Sequence, residues 1–241
     1  MENMEKIFIQ AGKDTRAFLE EAQRNGRKAF RSVKTQGESN KEYEIFWNKS
    51  SPISTKNFLV KSQSSSAKIS EALLYFDEEE LSRNMKTMTI SECSKVLDEE
   101  NAGFQYLSLS LLERFKKQKG SEKAKIIFLI RKNYSLVSLS REGLDKTSAS
   151  LPHISAAAAS FMAFAENLAA MNLESDFADF FLVLADCEEQ EFREDSALAR
   201  WIFQYLGEYC ERGKNMSKTI QWIKPGAHIS RSGRGFSLFG R

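Results

Sequence analysis

The sequence predicts a doubly wound α/β fold, with a parallel sheet of about seven strands and helices on both faces. Three observations carry this expectation. Short apolar runs recur along the chain without period-two alternation, as strands covered on both faces do. Between them lie segments whose apolar residues return at spacings of three and four, the mark of helices. The two kinds alternate along the whole chain, and right-handed crossovers turn such alternation into a doubly wound sheet.

Lys6–Gln10 is a short apolar run that meets a tight turn at Ala11-Gly12. Asp14 or Thr15 then caps a helix over 16–24, and Gly26 stops it. Lys28–Val33 is the second strand, which completes a βαβ opening. Tyr43–Trp47 is a third strand that Pro52 breaks, and Ser54–Ser70 holds a helix of mixed quality. Within it the polar run Ser62–Ser66 reads as a loop or a fraying end. Ala72–Phe76 is a strand ended by the acidic run Asp77–Glu80, read as solvated loop charge.

Ser91–Lys119 is the strongest helix, with Cys93, Val96, Leu97, Phe104, Leu107, Leu111 and Phe115 as its apolar stripe. Its basic end and Gly120 suit the dipole and a C-cap. Lys125–Ile130 is a buried strand. Ile154–Leu173 is an Ala-rich helix with Phe161, Phe164, Ala165 and Leu168 on its bulkier face. Asp179–Leu184 is a strand, Glu188–Arg212 is largely helical, and its acidic start Glu188–Glu191 is solvated charge. Thr219–Ile223 is the last strand, stopped by Pro225-Gly226. These runs give seven strands and one Rossmann-like domain over 1–229, followed by a flexible Arg/Gly-rich tail over 230–241.

Composition narrows the function classes. The chain has 241 residues, 41% of them hydrophobic, enough for one large buried core. Lys+Arg 35 against Asp+Glu 33 leaves a net charge of +2, which argues against a nucleic-acid binder. Arg231, Arg234 and Arg241, with Phe236 and Phe239, are too few to reverse that, and a flexible tail, or one that docks on a neighbouring subunit through its aromatics, is the better reading. Cys93, Cys187 and Cys210 fit neither a disulfide framework nor a metal site, and the two histidines lie far apart. The polar, acidic start has no apolar targeting region, and no uninterrupted stretch reaches the roughly 18 apolar residues of a membrane span. The expectation is a cytoplasmic protein with no membrane, nucleic-acid or metal partner.

The order of elements resembles the short-chain dehydrogenase/reductase family, most clearly from Val96 to Leu184. Val96-Leu-Asp98 leading to Gly103-Phe104 and Leu111–Lys117 looks like that family's long fourth-crossover helix. Lys125–Ile130 looks like its fifth strand, and Ser155–Ala169 like its catalytic helix. The resemblance implies a Rossmann-type sheet and NAD(P) as cofactor. It also implies subunits paired, as homodimer or homotetramer, through helices 91–119 and 154–173.

The family's functional positions carry other residues here. Its glycine-rich phosphate loop becomes Ala11-Gly12-Lys13-Asp14-Thr15, with one glycine, and Asp14 adds a negative charge where phosphate would sit. Its Asn-Asn-Ala-Gly becomes Tyr75-Phe-Asp-Glu78. The catalytic asparagine falls at Glu100, beside Asn101, and the serine near Arg131 or Lys132. The tyrosine falls at Ile154 and the lysine at Ala158, and the Pro-Gly after the sixth strand is Ala185-Asp186. Isoleucine and alanine neither move protons nor hold a ribose hydroxyl.

Two residues offer themselves as substitutes. His153 or Tyr134 could act as acid/base, against the plainer reading of a loop histidine and a half-exposed loop tyrosine. Glu100 either pairs with Arg131 or Lys132 at the old site's mouth or is solvated on a rotated helix. The leading expectation is a dehydrogenase-like pseudoenzyme without cofactor, serving as an oligomeric scaffold or protein-interaction module. The alternatives are an NAD(P)-dependent oxidoreductase with a rearranged site, and a regulatory module that binds a small molecule in the remnant cleft.

Overall fold

The computed structural model describes residues 6–38, 42–63, 67–118, 123–134, 149–174, 180–187, 192, 194–212 and 220–226. Its sheet has seven parallel strands in the order β3-β2-β1-β4-β5-β6-β7. The strands are β1 (Lys6–Gly12), β2 (Lys28–Val33), β3 (Glu44–Phe46), β4 (Lys68–Asp77), β5 (Ala124–Arg131), β6 (Phe180–Cys187) and β7 (Trp222–Ile223). The helices are α1 (Ala17–Arg24), α2 (Pro52–Lys61), α3 (Glu78–Asn84), α4 (Ile90–Val96), α5 (Gly103–Lys117), α6 (Pro152–Glu174) and α7 (Asp195–Arg212). Strand order reverses between β1 and β4, so the two crossovers leave on opposite faces and a crevice opens above the strands' carboxyl ends.

Alternate residues of each strand serve two cores. Ile7, Ile9, Leu74, Phe76, Ile126, Phe128 and Ile130 point to the side of α2, α5 and α6. Phe8, Leu73, Tyr75, Ile127, Leu129 and Val183 point to the side of α1 and α7. Phe104 and Phe161 meet edge to face at 5.0 Å in the first core, and Phe8 meets Phe203 at 5.0 Å in the second.

Several elements differ from the sequence expectation, each for a local reason. Pro52 starts α2 rather than merely ending a strand, with Ser51 Oγ accepting from the Ser54 amide at 3.2 Å. That helix ends at Lys61, and 68–70, expected to be helical, belong to β4, as does Glu71. Polar Lys68, Ser70 and Glu71 hid the strand, and buried Glu71 is neutralised by Arg27 and Lys125. Asp77 and Glu78 are not solvated loop charges: both are buried, and Asp77 caps α3. Between α4 and α5 the backbone continues as a wider π-type turn over 97–102. Val96 and Phe104 stay in the core, while Leu97 is 52% exposed and Cys93 half-exposed.

Other boundaries shift less. Strand β6 runs on through Ala185, Asp186 and Cys187, whereas β7 holds only Trp222 and Ile223. Helix α7 begins at Asp195. The expectations for Lys119, Gly120, Asp179, Glu188–Glu191, Thr219 and the tail from 230 lie outside the described residues, as does the Cys210 side chain. Among the described helices, Pro152–Asn172 is long and apolar enough to cross a membrane, although no uninterrupted apolar run was expected. Here it lies over the sheet, with Ile154, Ala157, Phe161 and Ala165 in the core.

Candidate functional site

Gly12 ends β1 at the point where strand order reverses, with φ +112°. A Cβ there would lie 2.1 Å from the Tyr75 carbonyl oxygen of β4, so only glycine lets the turn close. The turn is tied to its surroundings. The Lys13 amide donates to the Tyr75 carbonyl at 3.1 Å, and the Gly12 amide to Ser32 Oγ at 3.3 Å. From β1, Gln10 Nε2 donates to the carbonyls of Lys13 and Thr15 at 3.0 and 2.9 Å. Two amides that a phosphate cradle would offer outward are thus committed to the protein. Thr15 Oγ1 accepts from the Ala17 amide at 3.3 Å. Asp14 does not cap α1; it pairs with Arg31, which also holds Glu44.

Directly above this turn, four charged side chains close on one another. Lys13 Nζ lies 2.6 Å from Asp77 Oδ2 and 3.1 Å from Asp195 Oδ2. Arg131 Nη1 lies 3.3 Å from Asp77 Oδ2, and its Nη2 lies 3.1 Å from Asp195 Oδ1. Tyr75 Oη donates to Asp195 Oδ1 at 3.2 Å, and both cations stand over the Tyr75 ring. Two cations and two anions balance, which makes their shared burial tolerable. Burial opposes the Arg131 charge, but Tyr75, Asp77 and Asp195 outweigh it and raise its pKa. Burial, and then Asp77, push the Tyr75 phenol well above its ordinary value. A tyrosine shifted that way stays protonated at neutral pH and is a poor base.

The remaining candidates are scattered. Glu100 is buried but pairs with neither Arg131 nor Lys132: it accepts from Lys49 Nζ at 2.6 and 2.8 Å. The wide 97–102 turn brings it inward, and Gly103 lets the helix close on the Lys49 loop, where a Cβ would meet Lys49 Cβ at 2.7 Å. Lys132 Nζ lies 3.5 Å from Asp186 and stands over the Tyr134 ring. Ile154 and Ala158 are core residues, 0% and 4% exposed. Neither ring nitrogen of His153 has a hydrogen-bond partner among the described residues, so nothing orients it as an acid/base.

Helix α3 covers the area above Ile154. Asp77 Oδ1 accepts from the Glu80 amide at 2.8 Å and so caps the helix. Leu81 and Met85 then pack onto the core that contains Phe104, Ile154 and Ala158. Beside Gly12, a cavity of only about 10 Å³ remains, bordered by Lys34, Lys49, Glu80 and Glu100. That is below the roughly 300–1,000 Å³ typical of small-ligand sites. Sequence reasoning missed Lys49, Asp195 and the joining of Lys13 to Asp77. Asp195 carries only the signal of an acidic helix start, and Lys49 sits in an aperiodic loop.

A doubly wound parallel sheet with a glycine turn at its reversal point defines a Rossmann-type fold, and the layout is like that of solved short-chain dehydrogenases/reductases. A short chain dehydrogenase from Mycobacterium smegmatis superposes with a TM-score of 0.61 at 13% identity, covering 94% of this chain and 93% of that one. The Thermoplasma acidophilum aldohexose dehydrogenase, in ligand-free form, gives 0.61 at 12%, covering 95% and 97%. A Burkholderia cenocepacia short chain dehydrogenase in complex with NADP gives 0.60 at 10%, covering 94% and 90%. No protein-family model and no curated protein matches the sequence. At these identities the likeness establishes the fold.

Proposed function

We propose that the chain is a non-catalytic relative of these enzymes, a protein-association module that has kept the sheet and filled the crevice. The observation that supports this most strongly is the Lys13–Asp77–Arg131–Asp195 cluster, closed over Tyr75 where a dinucleotide would cross the strand ends. Binding there would break four ion pairs in a nearly dry site, and a removed partner leaves its mate uncompensated. The absence of tyrosine and lysine at Ile154 and Ala158 removes the proton path as well. Calorimetric titration with NADH and NADPH tests the reading. No saturable heat is expected; low-micromolar binding of either contradicts it.

Association through a second copy follows from the outer face of α6. Ala156, Ala159 and Ala163 are exposed along one stripe, and Met171 is 55% exposed at its end. Leu97 and Leu109 of the neighbouring helical segment are each 52% exposed. Small side chains in a row permit close helix approach, and a self-complementary face suits a two-fold dimer, or a tetramer built from two. Light scattering is expected to give a dimer or tetramer, with Ala159→Arg shifting it toward monomer; a strict monomer in the unaltered chain removes this part. The unpaired Cys93 and Cys187 favour a reducing, cytoplasmic setting.

The second reading is an NAD(P)-dependent oxidoreductase with a rearranged site. It rests on the NADP complex of the Burkholderia cenocepacia dehydrogenase and on the residual space beside Lys34. The same titration decides between the two.

A further inference from the structure

We propose that Lys13, Arg131 and the Tyr75 hydroxyl form a receptor for a small carboxylate, which the side chain of Asp195 occupies as a tethered stand-in. The inference rests on the filled-crevice reading above. Its ground is the convergence of three donors from three strand ends on one carboxylate. Lys13 Nζ contacts both Asp195 oxygens at 3.1 Å, Arg131 Nη2 reaches Oδ1 at 3.1 Å, and Tyr75 Oη reaches Oδ1 at 3.2 Å. The two cations have a second anchor apart from Asp195. Asp77 holds both cations from below, and the Tyr75 ring lies beneath both. Asp195 comes from a helix rather than a strand end, as the first residue of α7.

The chemistry selects a carboxylate over a phosphate. Without Asp195 the group of Lys13, Arg131 and Asp77 carries one net positive charge, which a monoanion neutralises and a dianion overfills. The three donors serve two oxygens. The nearby Gly12 and Lys13 amides, which a third oxygen would need, already donate to Ser32 and Tyr75. The Asp195 side chain is 17% exposed, so the position it fills touches solvent.

The test uses Asp195→Ala and formate. Thermal unfolding is followed in sodium formate and in sodium chloride at equal ionic strength. The unaltered chain is expected to melt at the same temperature in both. Asp195→Ala is expected to melt roughly 3 °C or more higher in saturating formate. Adding Lys13→Met to it should abolish that difference. Asp195→Ser, which keeps a residue suited to a helix start, provides the second variant. If both variants unfold in chloride, refolding followed by circular dichroism replaces melting, and formate-dependent refolding is expected. Equal behaviour in formate and chloride overturns the proposal, as does stronger stabilisation by inorganic phosphate than by formate. Failure of the underlying reading is seen separately, as NADPH binding by the unaltered chain.

Discussion

The two ends of the β4–β5 strand pair carry the same kind of charge pair in different settings. At the lower end Glu71 lies opposite Lys125, and at the upper end Asp77 lies opposite Arg131. Glu71 and Lys125 are 0% and 2% exposed, and Arg27 completes a triad that stays within strands β4 and β5 and the α1–β2 turn. The upper pair instead recruits Lys13 from the β1 turn and Asp195 from α7, and so ties three crossovers together over the crevice. The lower cluster holds the sheet. The upper one does that and also lies at the crevice above the strand ends, where strand order reverses.

The largest effect expected from breaking this comparison is at the lower end. Glu71→Ala strands Arg27 and Lys125 without their carboxylate and should cost about 3–5 kcal/mol in urea unfolding. The triple change Glu71→Leu, Lys125→Met and Arg27→Met should recover most of that loss, since well-packed apolar residues commonly replace a buried ionic group without penalty. Recovery of nothing would mean that the triad specifies strand register as well.

At the upper end, Gly12→Ala should cost about 1–3 kcal/mol from its backbone conformation alone, before the clash with the Tyr75 carbonyl is counted. The same denaturation series reads it. A neutral outcome would show that the turn relaxes and that the crest is less rigid than its hydrogen bonds imply.

A smaller effect separates the two ends by pH. Burial would raise the Glu71 pKa, but Arg27 and Lys125 outweigh it and hold it below the ordinary value. A depressed folded-state pKa contributes stability that is complete above the unfolded value, about 4.3 for glutamate, and is lost as pH falls through the folded value. Stability should therefore drop as the pH falls below about 4.3. Glu71→Gln should remove that part of the acid slope; an unchanged slope would place it elsewhere.

Much of the fold was legible because strands buried on both faces announce themselves. Phe8, Leu73–Phe76 and Ile126–Ile130 are apolar without interruption. The first half of β4 was not legible, because Lys68 and Ser70 read as the end of a helix and Glu71 breaks the apolar run until its partners Arg27 and Lys125 are known. The crevice was half legible. Gly12, Lys13 and Arg131 stood out by position, and the apolar character of Ile154 and Ala158, both core residues here, was plain without coordinates. What Glu100 pairs with was not readable, because Lys49 lies 51 positions away in sequence. Nor was Asp195, whose role arises only when β6 and α7 bring it back across the sheet.

In crystals of the unaltered chain soaked in NADPH, Lys13 and Arg131 should remain on Asp77 and Asp195, with no dinucleotide above Gly12. An ordered NADPH lying across Gly12 and Tyr75, with Asp195 displaced, would contradict the filled-crevice reading.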